Sequence, residues 1–316
     1  MKKSICISWA VMLTFLVGAV MFLSASVLQA SPIIIQGDYI YTQISDDGTL
    51  GYGSVYPGIQ YDPSGTATFG PKDFLQPGSP FEGFSVKSDE TGVIYNNNDW
   101  GNMISGSLSD LSGSSPYDYY IRWVGSYSGY FDILIDLYLN SNDQSINFTT
   151  TIIAQTDLHN LRFARYIDPD QDVYGTYGTY DTYNYRGFGA TIDENDWVYA
   201  VGPSSNWTIG LFSDTSITHN TGVSSGWSID PDFYLAGNYD GHGDYTIGIA
   251  FGIDYLASGD SVTFDYSYVL GTSPNDAVGH IPTSAPVPEP STMLLLGIGL
   301  IVVTGYSHKR FSKKGC

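Results

Sequence analysis

Aspartate spacing is the first feature of this chain that suggests chemistry. The stretch RYIDPDQDVYG alternates Asp168, Asp170 and Asp172, the D-x-D-x-D spacing used by loops that bind calcium through oxygen ligands. The full EF-hand pattern is not met. Val173 stands where the turn glycine belongs, and Thr179 where the bidentate glutamate belongs. A second segment, SIDPDF, repeats Ile-Asp-Pro-Asp at 229–232, and a third, NYDGHGD, gathers Asn238, Asp240 and Asp244. Two readings follow. Either Asp168, Asp170, Asp172, Asp240 and Asp244 contribute to Ca²⁺ binding, or aspartate side chains cap solvated turns.

Tyrosine makes the second pattern. YGTYGTYDTYNYRG (174–187) places Tyr174, Tyr177, Tyr180 and Tyr183 three residues apart, a period that fits neither a strand face nor a helix face. The segment reads as a loop or a bulged edge. Exposed phenol rings stack on the apolar faces of sugars, so polysaccharide is a candidate ligand. Simple packing is the other reading, because the chain holds 26 tyrosines and a local group of them discriminates little.

Catalytic patterns are missing. There is no H-E-x-x-H zinc helix, and GSYSG centres on Tyr127 where a nucleophile elbow needs serine. Asp132 and Asp136 share one strand face at a separation of ~13 Å, beyond the spacing of paired glycosidase carboxylates. The histidines at 159, 219, 242, 280 and 308 are scattered, and only His242 sits among acids. The expectation is a protein without enzymatic activity, with an extracellular glycan-active enzyme as the alternative.

These residues need a scaffold, and the periodicity describes one. In YFDILIDLYL, Phe131, Ile133, Ile135, Leu137 and Leu139 are apolar at every second position, which puts them on one face of a strand. NSNDQS (140–145) reads as a turn, and the next strand buries Ile146, Phe148, Ile152 and Ala154. The pattern returns at Tyr245, Ile247, Ile249, Phe251 and Ile253, then at Val262, Phe264, Tyr266, Tyr268 and Leu270. Shorter strands are expected at 38–44, 119–125, 161–167, 197–202 and 206–212. Of the 32 acids only four are glutamate; aspartate favours turns and glutamate favours helix interiors. The fold class is therefore all-β: one large antiparallel β-sandwich over residues 31–270. Two smaller sandwiches divided near 100–116 are the alternative. Residues 271–287 have no periodicity and read as a flexible linker.

Both ends read as processing segments. Residues 1–30 carry Lys2 and Lys3, an apolar run from about Ile5 to Leu23, and small residues before Ala30. This is a signal peptide, or an anchor if it is not cut. The only cysteines are Cys6 and Cys316, so no disulfide joins the body; core burial or a metal must stabilise it. Between 31 and 284 six basic residues face 31 acidic ones. Such a surface repels nucleic acid and anionic lipid.

The C-terminal end reads PVPEPSTMLL, then an apolar run over 293–306 and a basic tail at 308–314 containing Lys309, Arg310, Lys313 and Lys314. Fourteen helical residues reach about 21 Å, a marginal transmembrane helix against a hydrocarbon core of ~30 Å. The basic residues hold that end in the cytoplasm. Pro288 and Pro290 keep the outer approach extended. A Pro-Glu-Pro motif, one span and a basic cluster in this order resemble the PEP-CTERM sorting signal of Gram-negative bacteria, over about residues 286–314, with the signal itself at 288–314. The resemblance implies recognition by an exosortase, a membrane peptidase or transpeptidase, with Pro288, Glu289 and Pro290 as the recognised residues. It implies an exported protein with a transient inner-membrane intermediate, sorted to the cell surface or exterior, often in makers of exopolysaccharide and biofilm. A plain single-pass anchor is the alternative. The body then reads as structural, adhesive or polysaccharide-binding.

Overall fold

The computed structural model describes residues 31–282 apart from 54, 77 and 175–177. The segments 1–30 and 288–314, with the expected span at 293–306, lie outside the described residues. Among the described residues no helix is long and apolar enough to cross a membrane.

The chain opens with β1 (Ile33–Gln36), β2 (Ile40–Ile44) and β3 (Ile59–Tyr61), which form a small antiparallel sheet. Next come β4 (Glu82–Ser88), β5 (Gly92–Asn97) and β6 (Gly101–Asn102), then β7 (Ser105–Asp110), β8 (Tyr119–Tyr127), β9 (Phe131–Leu139) and β10 (Ser145–Ala154). The later strands are β11 (Leu158–Ile167), β12 (Tyr183–Arg186), β13 (Trp197–Val201), β14 (Thr208–Phe212), β15 (His219–Ser224), β16 (Thr246–Leu256) and β17 (Ser261–Gly271). Two short helices are α1 (Pro231–Leu235) and α2 (Pro274–Gly279).

One large sheet runs β12-β13-β14-β17-β10-β9-β8-β7 and the other β15-β16-β11-β4-β5-β6. Every strand pair in them is antiparallel, and they form a sandwich. The alternating sets produce it. Phe131, Ile133, Ile135, Leu137 and Leu139 are fully buried, as are Ile146, Phe148 and Ile152 on the paired strand. From the opposite sheet, Phe163 and Phe251 meet Phe264, with ring centroids 5.1 and 4.4 Å apart. Each such side chain contributes about 1.5–3 kcal/mol on burial, so the core can stand without disulfides. Strands from both sides of residues 100–116 share the six-stranded sheet, and one core unites Ile35 with Leu270.

Two stretches differ from expectation. Residues 271–287 were expected to be linker throughout. Instead Gly271 ends β17, and 274–279 is helical, capped by Ser273 and packed through buried Ala277 against Trp197 and Val269. Six residues are too few to show a helical period. The repeat at 229–232 likewise caps a helix. Asp230 accepts a hydrogen bond from the Asp232 N–H, and Pro231 occupies the first turn. Helix α1 lies on the outer face of the six-stranded sheet, where a Cβ on Gly248 would come within 2.5 Å of the Tyr234 ring.

A charged pair sits inside the core. Arg165 on β11 and Glu82 on β4 are both fully buried, with Nε donating to Oε1 at 2.5 Å. Tyr268 Oη donates to the same oxygen at 2.8 Å, and the Leu50 N–H to Oε2 at 2.6 Å. The guanidinium lies 4.8 Å over the Phe148 ring. Burial works against the charge of Arg165, but the Glu82 carboxylate together with the Tyr268 and Tyr266 hydroxyls raises its pKa above the ordinary guanidinium range, while burial pushes the Glu82 carboxyl up. Replacing one partner leaves a buried charge without its counterpart. Arg165→Met or Glu82→Gln alone should therefore lower stability by about 3–5 kcal/mol in denaturant unfolding. An apolar double replacement should recover most of that loss.

Candidate functional site

Side chains on the outer face of the eight-stranded sheet line up because strand register puts them in rows. Across β8, β9, β10, β17 and β14 the first row is Tyr120, Tyr138, Asn147, Ser267 and Phe212. The second is Arg122, Asp136, Thr149 and Asp265. These are the even positions of β8 and β9 and the odd positions of β10, opposite in parity to the core set. Above them lies a cleft of about 540 Å³, closed at one end by Asn140 and at another by His280 after α2. A second cleft of about 240 Å³ adjoins it and shares Tyr117 and Tyr138. Together they form a groove across the sheet.

The floor of the groove is fixed by hydrogen bonds. Arg122 grips Asp136 with Nε and Nη2 at 2.6 and 2.7 Å, and Tyr120 Oη donates to the same carboxylate at 2.9 Å. Thr149 Oγ1 donates to Asp265 Oδ1 at 2.5 Å, and Ser267 Oγ to Asn147 Oδ1 at 2.8 Å. The ring of Tyr117 lies 4.5 Å from that of Tyr138. Hydrogen bonding to Asp136 raises the Arg122 pKa. Burial pushes the Tyr120 and Tyr138 hydroxyls up to about 12, and it raises the Asp265 carboxyl. The groove thus offers aromatic faces beside amide, carboxyl and hydroxyl groups, a combination that suits a polar chain with apolar faces. Only the outward period of β9 hints at it in the sequence. The β17 residues join those of β10 through hydrogen bonds that span 116 and 120 positions.

The residues singled out by sequence spacing are distributed differently. Asp168 and Asp170, just past β11, meet Asp244, just before β16, with one oxygen from each within 4.8 Å of the others. Asp168 and Asp170 are buried and Asp244 half-buried. Burial raises the pKa of all three, and charge repulsion within the group adds to it for Asp168 and Asp170. Asp172 is not among them. Its Oδ2 accepts the Ser204 and Ser205 N–H groups at 2.5 and 3.1 Å and fixes a turn. Asp240 also stands apart, accepting from the Ser225 N–H and hydroxyl at 2.8 Å.

The three described tyrosines, Tyr174, Tyr180 and Tyr183, form no single platform. Tyr174 is exposed and its hydroxyl meets that of Tyr56 at 2.5 Å. Tyr180 lies against Gly78, where its ring would be 2.7 Å from an added Cβ. Tyr177 lies outside the described residues. Tyr183 projects from edge strand β12 and packs edge-on against His242, at 5.4 Å and 74°. Its companion on that face is Tyr185, stacked on Tyr199 at 5.3 Å, which a period of two would have identified. Pro288, Glu289, Pro290, Lys309, Arg310, Lys313 and Lys314 lie outside the described residues.

The described part is thus a two-sheet antiparallel β-sandwich carrying an outer-face groove. Residues 286–310 of the same chain match the PEP-CTERM protein-sorting motif, as a PEP-CTERM sorting-signal protein would. A motif of this kind implies an exosortase-type processing system and export toward the cell envelope or surface. No curated protein matches the chain. Among solved structures, a bacterial glucoamylase complexed with acarbose is similar at 11% identity and a TM-score of 0.48, covering 78% of this chain and 33% of that one. An alpha-mannosidase from Enterococcus faecalis is similar at 12% identity and 0.41, covering 80% and 32%. A TPR-domain containing protein from Parabacteroides distasonis gives 12% and 0.43, covering 82% and 50%. This chain spans a third to a half of their lengths, and no activity follows from likenesses this slight.

The floor of the groove is testable by itself. Arg122→Met should cost about 1–2 kcal/mol in urea unfolding, because Asp136 loses its charged partner. The low end is expected, since Arg122 is 31% exposed. Adding Asp136→Asn should recover part of the loss.

Proposed function

We propose that this chain is an exported surface or matrix protein whose body binds polysaccharide in the groove across the eight-stranded sheet. Delivery rests on the C-terminal motif. Pro288, Glu289 and Pro290 are the residues an exosortase-type peptidase or transpeptidase recognises, and Lys309, Arg310, Lys313 and Lys314 stop translocation. The body is tethered to the inner membrane until that step and afterwards resides at the cell surface or in the exterior matrix.

The observation that carries the binding reading is the double row of outward side chains under Tyr117 and Tyr138. A polysaccharide is long, uncharged or weakly charged along much of its length, and studded with hydroxyls. It needs aromatic faces for its apolar CH surfaces and fixed donors and acceptors for its edges. Asn147, Ser267, Thr149 and Asp265 supply the second, held in place by one another. An acidic body disfavours polyanionic ligands, so a neutral glycan is the better match.

A glycan-active enzyme is the second reading, favoured by Asp265. Its carboxyl is pushed up by burial, with the charge of Asp214 adding to the effect, as a general acid requires. The Asp136 carboxylate is occupied by Arg122 and Tyr120.

Two measurements decide. On a glycan array the protein should bind a neutral polysaccharide without turnover, and Tyr138→Ala should weaken binding about tenfold, the effect of one aromatic contact of ~1.4 kcal/mol. Tyr183→Ala, on the β12 edge, should leave it unchanged. Hydrolysis abolished by Asp265→Asn would favour the enzyme instead. For delivery, intact-mass analysis from a strain with the sorting enzyme should show a protein lacking the apolar tail. Replacing Pro288, Glu289 and Pro290 with alanine should leave the full-length precursor in the membrane fraction. A mature wild-type protein that retains its tail would refute the sorting reading.

A further inference from the structure

The other buried carboxylates of the body are supplied with donors. Asp73 accepts the N–H groups of Gly58, Ile59, Leu75 and Gln76. Asp62 takes the N–H groups of Ser64, Thr66 and Thr68 and two hydroxyls. Glu82 has Arg165, and Asp136 has Arg122. Asp168, Asp170 and Asp244 break this pattern. Oδ1 of each is shielded from solvent and has no hydrogen-bond partner among the described residues. Asp168 and Asp170 are each only 2% exposed, and their carboxylates point into the space that Asp244 faces.

Nor does any Lys or Arg side chain among the described residues pair with the three. Lys87 is held by Asp230 and Asp232, Arg162 by Asp232 and Arg186 by Glu194. Arg122 and Arg165 serve the pairs above, and Lys72 lies 4.5 Å over Trp207. These are all the basic residues between 31 and 282. Three carboxylates crowded together away from water, with neither donors nor a basic partner, are strongly unfavourable unless a cation stands among them.

The geometry points to a Ca²⁺ site formed by Asp168, Asp170 and Asp244 that ties the end of β11 to the start of β16. Oxygens mutually within 4.8 Å, twice the Ca²⁺–oxygen distance of about 2.4 Å, can close on one ion with small side-chain movements; Mg²⁺ needs about 2.0–2.1 Å and a strict octahedron. All the ligands are hard oxygens, which excludes a preference for softer metals. The three residues lie in irregular segments, which suits the flexible coordination of Ca²⁺. The ion would do more than join two strands. The Asp168 N–H donates to Phe81 O and the Asp170 N–H to Phe74 O, both at 2.8 Å, so the 74–81 segment is pinned to the same point. Trp227 Nε1 donates to Asp244 O at 3.1 Å and anchors the other side. In a body without cysteine this is a cross-link between distant segments. The inference is independent of the polysaccharide reading, and its test does not involve glycan.

The purified mature protein is stripped with EDTA, dialysed, and titrated with Tb³⁺ under tryptophan excitation, then with Ca²⁺ alone. Sensitised Tb³⁺ emission should saturate at one ion per chain and be displaced by Ca²⁺. The melting temperature should rise by about 5 °C at saturating Ca²⁺. Asp170→Asn and Asp244→Asn should each weaken Ca²⁺ at least tenfold, while melting no lower than stripped wild type, because each removes a repelling charge. Asp172→Asn and Asp240→Asn should keep the response. No change in melting up to about 10 mM Ca²⁺, above the range of weak extracellular modules, would overturn the site. So would a full response in both Asp170→Asn and Asp244→Asn. An equal response to Mg²⁺ would overturn the assignment of the ion.

Discussion

Arg165 and Glu82 place a full ion pair where an apolar contact would be expected, and the architecture is arranged around keeping that pair satisfied. The two residues sit on the core face of neighbouring strands, beside Phe163, Phe84 and Ile167. Their remaining contacts come from everywhere else. Tyr268 and Phe148 reach in from the opposite sheet, and Gly48 O and the Leu50 N–H from the loop that follows β2. All three sheets or their connections therefore converge on one carboxylate and one guanidinium, whose Nη2 has no hydrogen-bond partner among the described residues. A slip of β11 by a single residue would put Arg165 outside and Tyr166 inside, leaving Glu82 alone in the core. The pair acts as a lock on register.

The long hairpins were legible because each carries at least four apolar residues at alternate positions, as β9 and β17 do. β4 was not, because its core face reads Glu82, Phe84, Val86 and Ser88, only two of them apolar, and nothing local reveals that Glu82 has a partner 83 residues away. The short helices failed for lack of length, although Ser273 and Asp230 are ordinary N-caps once the helices are known. The aspartate cluster was half legible. Asp168 and Asp170 stand out by spacing, but Asp172, next in the same series, turns to Ser204, while Asp244 arrives from the far side of β11's neighbour. Local spacing reports how a loop is written, not which distant loop completes it.

The groove shows the same limit from another direction. Its rows exist only because β8, β9, β10, β17 and β14 lie side by side, with β17 inserted between β10 and β14. Each strand contributes one or two polar or aromatic residues that look like ordinary solvent-facing positions. The core alternation and the groove are the two faces of one pattern, so the burial that fixes the strands also sets the spacing of what they present outward.

The scarcity of basic residues has a consequence for durability. The folded body contains two lysines, Lys72 and Lys87; one stacks on Trp207 and the other is clamped between two carboxylates. Trypsin-like proteases require an accessible basic side chain on a segment that can be drawn out straight, and four arginines held in ion pairs within or beside strands offer little more. Such a surface gives trypsin-like proteases few points of attack while the body stays folded.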